Sequence, residues 1–330
     1  MQISKKNKVI TLSLILIVVT IISLFIGQGN INVTKLISGD TTSNFIFFQL
    51  RLPRIICAIL IGVGLSIAGL LLQTTLNNDL ADSSIIGINS GISFFVLLYI
   101  MLNNSTNFLS ILGMPLVGII GALISIFILF ILVYDKDNGI NSIRMCICGI
   151  ALNIGFQGLI LFFSTQLDKQ KFAYVQLWNA GIITGNNYFK ITILFIVISL
   201  IVIYIIKHLN ELNIFILGKE SATTLGLNYQ KMSIIFILLS CILSAFAISF
   251  GGSIPFVGLL APHIAKKLIG NNYKYTLVCT MLIGAALVLV ADALAKILIS
   301  STEIPTGIIM SIIGVPYFIY LLRKENSQWI

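Results

Sequence analysis

Apolar runs, most of them about 20 residues long, alternate with short polar segments along almost the whole chain. They fall at 9–26, 51–76, 84–102, 113–134, 142–165, 189–206, 232–250, 275–294 and 305–322, with a shorter one reaching Lys266. The hydrocarbon core of a bilayer is crossed by a helix of roughly 20 apolar residues. The pattern therefore predicts an all-α polytopic membrane protein with about ten transmembrane helices, a single domain over 1–330. Residues 251–263 interrupt it. Two prolines and three glycines there preclude a regular spanning helix. Broken backbone at membrane depth is tolerated only where protein or a water-filled cavity covers it.

The polar segments carry the rest of the information. Segment 207–231 holds Lys207, Glu211, Lys219, Glu220 and Lys231, while 191–206 and 232–265 hold no charged residue. A charge at the bilayer centre costs about 2.5–3.5 kcal/mol, so 207–231 sits in water between two spans. Within it, 219–225 can form two short helical turns, which Gly226 is suited to end. Ala222 and Leu225, three apart, should share a face. That leaves two readings, a docking knob for a partner or an ordinary connecting loop. The outer segments are expected at 27–50, 103–112 and 166–187, the last containing Trp178.

Composition agrees with the pattern. The chain has 330 residues, 58% hydrophobic and 9% charged, with a mean hydropathy of +1.05, whereas a soluble domain carries about 25% charged residues. No segment is left for a soluble catalytic domain, and no GxxxxGK[ST] occurs. If ATP drives transport here, the ATPase is another chain. The net charge of +9 is scattered singly between apolar runs, which speaks against nucleic acid and for a positive-inside bias. With both termini in the cytoplasm, 13 of the 20 Lys and Arg lie inside and 7 outside. Residues 9–26 follow Lys5, Lys6 and Lys8, and no A-x-A-like site follows, so they read as an uncleaved first span. The five cysteines, Cys57, Cys146, Cys148, Cys241 and Cys279, lie in apolar runs and read as small packing residues.

Few residues could carry chemistry. Arg51, Arg54 and Lys296 are outside, against the charge bias. They either snorkel at the interface or meet an anionic partner. Asp292 lies four residues before Lys296, on the same helix face, where it can orient or neutralise the lysine. His263 follows Pro262 with no metal-binding companions and reads as a structural histidine. An ion-coupled transporter would need paired buried charges. An intramembrane enzyme would need a nucleophile and base or a metal cluster, and the sequence offers neither pattern.

Several motifs resemble one family. Leu217-Gly218-Lys219-Glu220-Ser221-Ala222-Thr223-Thr224-Leu225-Gly226 is similar to the L-G-x-E-x-A-x-x-L-G segment of FecCD-type permeases, importers of iron-siderophores, haem and vitamin B12. Arg51-Leu52-Pro53-Arg54 resembles the family's R-L-P-R, and 291–296 its A-D-x-x-A-R, with Lys296 in place of Arg. Residues 77–82 resemble its x-N-P-L-A-D/E turn with Asp79 for Pro, and 258–266 its G-L-x-x-P-H-x-x-R with Lys266 for Arg. Glu303-Ile304-Pro305-Thr306-Gly307 and Gly314-Val315-Pro316-Tyr317-Phe318 match E-x-P-x-G and G-x-P-x-F.

The resemblance implies the permease fold of a type II ABC importer, in the cell membrane. Gly218, Glu220, Ser221, Ala222, Leu225 and Gly226 would form the coupling helix that contacts an ATPase subunit. Arg51, Arg54 and Lys296 would meet carboxylates on an extracellular substrate-binding protein. Ser142 and Ile143 fall where relatives place the cytoplasmic gate. The implied partners are a second permease subunit, identical or paralogous, two ATPase subunits and the binding protein. ATP and magnesium would bind the ATPase, with no cofactor on this chain. The implied substrate is an iron-siderophore, with haem or cobalamin as the alternative and an ion-coupled secondary transporter as the competing class.

Overall fold

The structure is a computed structural model. It describes residues 2–27, 40–84, 86–102, 108–135, 139–140, 142–183, 187–298 and 304–326, some of them, including 142 and 143, by backbone alone. Thirteen helices lie among these residues. They are α1 (Gln2–Phe25), α2 (Thr41–Thr75), α3 (Ile88–Leu102), α4 (Phe108–Val133), α5 (Ser142–Ser164), α6 (Lys169–Asn179), α7 (Tyr188–Lys207), α8 (Leu209–Phe215), α9 (Gly218–Thr224), α10 (Tyr229–Gly251), α11 (Val257–Ile269), α12 (Tyr273–Leu298) and α13 (Thr306–Asn326). A two-residue antiparallel ladder, Tyr134–Asp135 against Gly139–Ile140, lies between α4 and α5.

Seven helices, α1, α2, α4, α5, α7, α10 and α12, are long and apolar enough to cross a membrane, and α3 and α13 are shorter apolar helices. Helix α11 has 13 residues, about 20 Å at 1.5 Å per residue, too short to cross a core of about 30 Å. With α3, α11 and α13 counted, a helix stands at each apolar run, seven of them long enough to cross. The interruption falls where the prolines and glycines predict it. Gly252 (φ +70) ends α10, and the left-handed Phe256 (φ +66) starts α11.

Some boundaries differ from expectation. Of segment 27–50, read as outer loop, residues 28–39 lie outside the described residues, and 41–50 are already helical and form the start of α2, with a π turn at Ile46–Arg51. Pro53 has no N–H to donate. The wider turn before it, closed by Leu52 N–H to the Phe47 carbonyl, lets one helix continue past the proline. Helix α4 likewise begins at Phe108, inside the expected outer loop. Segment 166–187 contains α6, capped by Asp168, whose carboxylate accepts the Lys171 amide at 2.8 Å. Val175 and Trp178 of α6 are buried. The Trp178 carbonyl lies against Gly252, and the Gly307 amide bonds the Gly181 carbonyl at 3.3 Å. Residues 178–181 are thus packed against the broken 252–256 stretch and the start of α13.

Helix α2 is the central pillar. It is buried on nearly all sides from Ile55 to Thr75, among α12, α10, α11 and α7. Lipid is as apolar as leucine, so helices in a membrane gain by close packing through small residues. A Cβ on Gly62 would overlap the Gly284 carbonyl of α12, and one on Gly69 the Gly258 carbonyl of α11. By contrast α1 and α5 present apolar side chains such as Leu14, Ile17, Ile150 and Ile154 outward.

Candidate docking and coupling sites

The polar segment 207–231 folds into two short helices. In α8, Leu212 and Phe215 are buried. Phe215 lies tilted against Tyr229 at a centroid distance of 4.5 Å and edge-to-face with Phe236 at 5.6 Å, which fixes the segment to α10. Helix α9 then stands out from the protein. Glu220 lies in its first turn, where the helix dipole favours a carboxylate. Gly226 (φ +85) closes it. Its amide donates to the Thr223 carbonyl at 2.9 Å and the Leu227 amide to the Ala222 carbonyl at 3.1 Å, a Schellman C-cap.

Lys219, Glu220, Ser221, Thr223, Thr224, Leu225 and Gly226 are exposed. Ala222 and Leu225, expected to share a face, differ in burial, at 0% and 61% exposed. The Leu225 amide still donates to the Ser221 carbonyl at 3.1 Å and the chain leaves the helix only after it (ψ 5), so the small Ala222 is covered while Leu225 projects from the end of the helix. The exposed apolar residues of the knob are Leu217 and Leu225.

The turn after α2 is held by a polar cluster that sequence spacing does not reveal. Asn77 (φ +46) ends α2 in the left-handed conformation. Asp79 pairs with Lys266 of α11 at 2.6 Å, and Lys266 Nζ also donates to Gln73 Oε1 at 3.0 Å. The Gln73 amide nitrogen donates to the Gly258 and Leu259 carbonyls at 3.4 and 3.3 Å. In an α-helix the Gly258 carbonyl would accept from residue 262, but Pro262 has no N–H. Gln73 supplies the missing donor, and Lys266 fixes which way its amide points. Asp82, buried beside Gly258, accepts from the Ser84 amide and hydroxyl. Burial pushes its carboxyl above the usual range, against hydrogen bonds from Ser84 and Ser83.

At the other end of α2, Arg54 donates through Nε (3.1 Å) and Nη2 (3.0 Å) to Asp292 Oδ1. Lys296 Nζ lies 2.6 Å from Asp292 Oδ2, and the Thr306 hydroxyl donates to Oδ1 at 3.3 Å. Asp292 is 1% exposed, and the Arg54 and Lys296 side chains 12% each. The expected Asp292–Lys296 pair is present. The link to Arg54, 238 residues away, is what sequence reasoning missed. One carboxylate thus joins α2, α12 and α13 and leaves the cluster of Arg54, Asp292 and Lys296 one net positive charge. Arg51 is placed differently. It is 6% exposed and donates to the Leu24 (2.8 Å) and Gly27 (3.2 Å) carbonyls, tying the end of α1 to α2.

Among the remaining candidates, Ser142 opens α5, but the side chains of Ser142 and Ile143 lie outside the described residues. His263 packs edge-on against Tyr317, centroids 6.1 Å apart. No group of three metal-ligating side chains occurs among the described residues. The described cysteines are unbonded, with Cys57, Cys241 and Cys279 buried.

Residues 15–324 match the FecCD transport family. The chain belongs to that family. It is 36% identical over 322 residues to the iron(3+)-hydroxamate import system permease protein FhuG of Bacillus subtilis (strain 168), covering 95% of each chain. It is 31% identical over 323 residues to the hemin transport system permease protein HmuU of Yersinia pestis, covering 94% of this chain and 95% of that one. A solved inward-facing transporter assigned to the metal-chelate ABC type superposes with a TM-score of 0.82 at 28% identity, over 97% of this chain and 100% of that one.

As a FecCD permease the chain is a transport subunit and not itself an enzyme. Its two departures from the family's motifs near α11 meet in space. Asp79, where proline is usual, is the residue that pairs with Lys266, where arginine is usual. A lysine is a compact point charge. Here it reaches one carboxylate and one amide oxygen, and the turn that lost its proline is held by an ion pair.

Proposed function

We propose that this chain is the membrane subunit of an ATP-driven importer that takes up a ferric siderophore, hydroxamate-type in the first instance. The observation that carries this reading is the 36% identity, across 95% of both chains, to an iron(3+)-hydroxamate permease. The chain would work as one domain, paired with a second permease subunit, both termini in the cytoplasm. Two ATPase subunits, which hold ATP and magnesium, meet the exposed part of α9 and its C-terminal cap, that is Glu220, Ser221, Leu225 and Gly226, with Gly218 and Ala222 shaping its base. A binding protein approaches from outside onto Arg54 and Lys296, with Arg51 securing α1 behind them. No cofactor is needed on this chain. Ser142 and Ile143 stand at the cytoplasmic gate. Haem is the second reading, supported by the 31% identity to a hemin permease.

The test is uptake of labelled ferric hydroxamate, haem and cobalamin by cells that carry the chain with its ATPase and binding protein, as wild type or Glu220→Ala. One chelate should be accumulated, and the variant should lose uptake while still binding the loaded binding protein. Normal uptake by the variant would remove α9 from the mechanism. Uptake of none of the three would overturn the substrate reading.

A further inference from the structure

Asn213, in the middle of α8, makes two hydrogen bonds that join different parts of the fold. Its Nδ2 donates to the Leu209 carbonyl of its own helix at 2.9 Å. Its Oδ1 accepts the backbone amide of Tyr273 at 3.1 Å, 60 residues further on. Tyr273 is the first residue of α12, and the first amides of a helix have no acceptor inside it. The local solution is also present, since Asn272 Oδ1 takes the Lys274 amide at 3.1 Å. Helix α12 is therefore capped twice, once by its own neighbour and once by a side chain from the polar hairpin.

Both ends of this link are held firmly. The Tyr273 side chain is buried and its hydroxyl bonds Thr74 of α2. On the hairpin side, Leu212 and Phe215 are buried in the same short helix. Helix α12 contains no proline and runs 26 residues, about 39 Å at 1.5 Å per residue. Near its far end it carries Asp292 and Lys296, two of the three charged residues of the cluster with Arg54. Apolar contacts between helices can slide. A hydrogen bond from a packed side chain to a helix terminus fixes a position along the axis.

We infer that Asn213 is a positioning residue that carries displacement of the α8–α9 hairpin into α12, and through that helix to the outer cluster. The inference rests on the reading of α9 as the contact with an ATPase. It makes a distinction that a merely structural asparagine would not. Loss of the link should change how much substrate moves per ATP hydrolysed, not only how much transporter is made.

The experiment uses the complete transporter in proteoliposomes with its ATPase and binding protein. Uptake of a labelled ferric hydroxamate and ATP hydrolysis are measured together in wild type, Asn213→Leu and Asn213→Asp. Asn213→Leu keeps the volume and removes both bonds. Asn213→Asp keeps the acceptor for Tyr273, and its charge suits a helix N-terminus. Uptake per ATP should fall about fivefold in Asn213→Leu, the factor that one net hydrogen bond is worth, and return to within about twofold of wild type in Asn213→Asp. A wild-type ratio in Asn213→Leu would overturn the inference, even with both rates reduced. Wild type without ATP-dependent uptake would instead overturn the functional reading. If Asn213→Leu fails to assemble, hydrogen exchange in the wild-type complex decides. On adding a non-hydrolysable ATP analogue, the amides of α8 and of the first turn of α12 should change protection together. A change in α8 alone would refute the link.

Discussion

Replacing Gln73 with leucine isolates one buried repair. Leucine matches glutamine closely in size and removes the donor that serves the Gly258 and Leu259 carbonyls. The Leu259 carbonyl retains its place in the helical ladder, with His263 as donor. The Gly258 carbonyl does not, because Pro262 has no N–H. An unsatisfied buried carbonyl costs about 1–3 kcal/mol, and Gln73 is 1% exposed, so water does not replace its amide. Bonds of 3.3–3.4 Å are at the long end of the useful range, so the expected loss is about 2 kcal/mol. Lys266 loses one acceptor but keeps Asp79 at 2.6 Å, which adds little.

Pro262→Ala supplies the control. It returns an amide to the Gly258 carbonyl, so Gln73→Leu should cost less than about 1 kcal/mol in that background. The assay is equilibrium unfolding of the four proteins of the cycle, titrated in mixed micelles. A coupling energy of about 1 kcal/mol or more is expected. Equal costs of Gln73→Leu in both backgrounds would show that Gln73 does not serve the carbonyl that the proline leaves open.

Other consequences follow from the same geometry. Asp292→Asn removes the carboxylate that Arg54 and Lys296 share, and breaking a buried pair costs about 3–5 kcal/mol. Thermal unfolding in detergent should show a loss near the lower figure, smaller for Asp292→Glu, and an unchanged midpoint would refute the shared role. Gly69→Ala forces α2 and α11 apart at the Gly258 carbonyl and should cost about 1–3 kcal/mol, whereas an unaltered protein would mean the two backbones are not in contact. Asn77 ends α2 at φ +46, so Asn77→Val should lose about 1–2 kcal/mol and Asn77→Gly almost nothing. Equal losses in the same unfolding assay would point to the side chain and not to the backbone.

What the sequence determined by itself is what depends on neighbours along the chain. The cost of taking charge into lipid marks the spans and places segment 207–231 in water. Helix termination by glycine predicts the end of α9 at Gly226, and proline and glycine predict an interruption within 251–263, of which only 252–256 is non-helical, because the helix from Val257 runs on through Pro262. The four-residue spacing pairs Asp292 with Lys296. The motifs, each a short local string, carry the family resemblance by themselves. Proline chemistry was also readable, but its consequence was not, because the donor that completes Gly258 comes from Gln73 on another helix.

Only the tertiary structure decided which remote polar groups meet. Arg54 and Asp292 are 238 residues apart, and nothing in either segment points to the other. Arg51 has the same type and local setting as Arg54, yet its guanidinium turns to the carbonyls of Leu24 and Gly27. Ala222 is covered by the fold while Leu225, at the end of the same short helix, is exposed. Segment 166–187 is ordinary in composition, and the position of its residues 178–181 against 252–256 depends on the room left at Gly252 and Gly307. The physical reason is common to all of these. Burial in lipid selects helices one at a time, by local composition. It gives little preference for which apolar faces then meet, so that choice falls to close glycine contacts and a few long-range polar pairs.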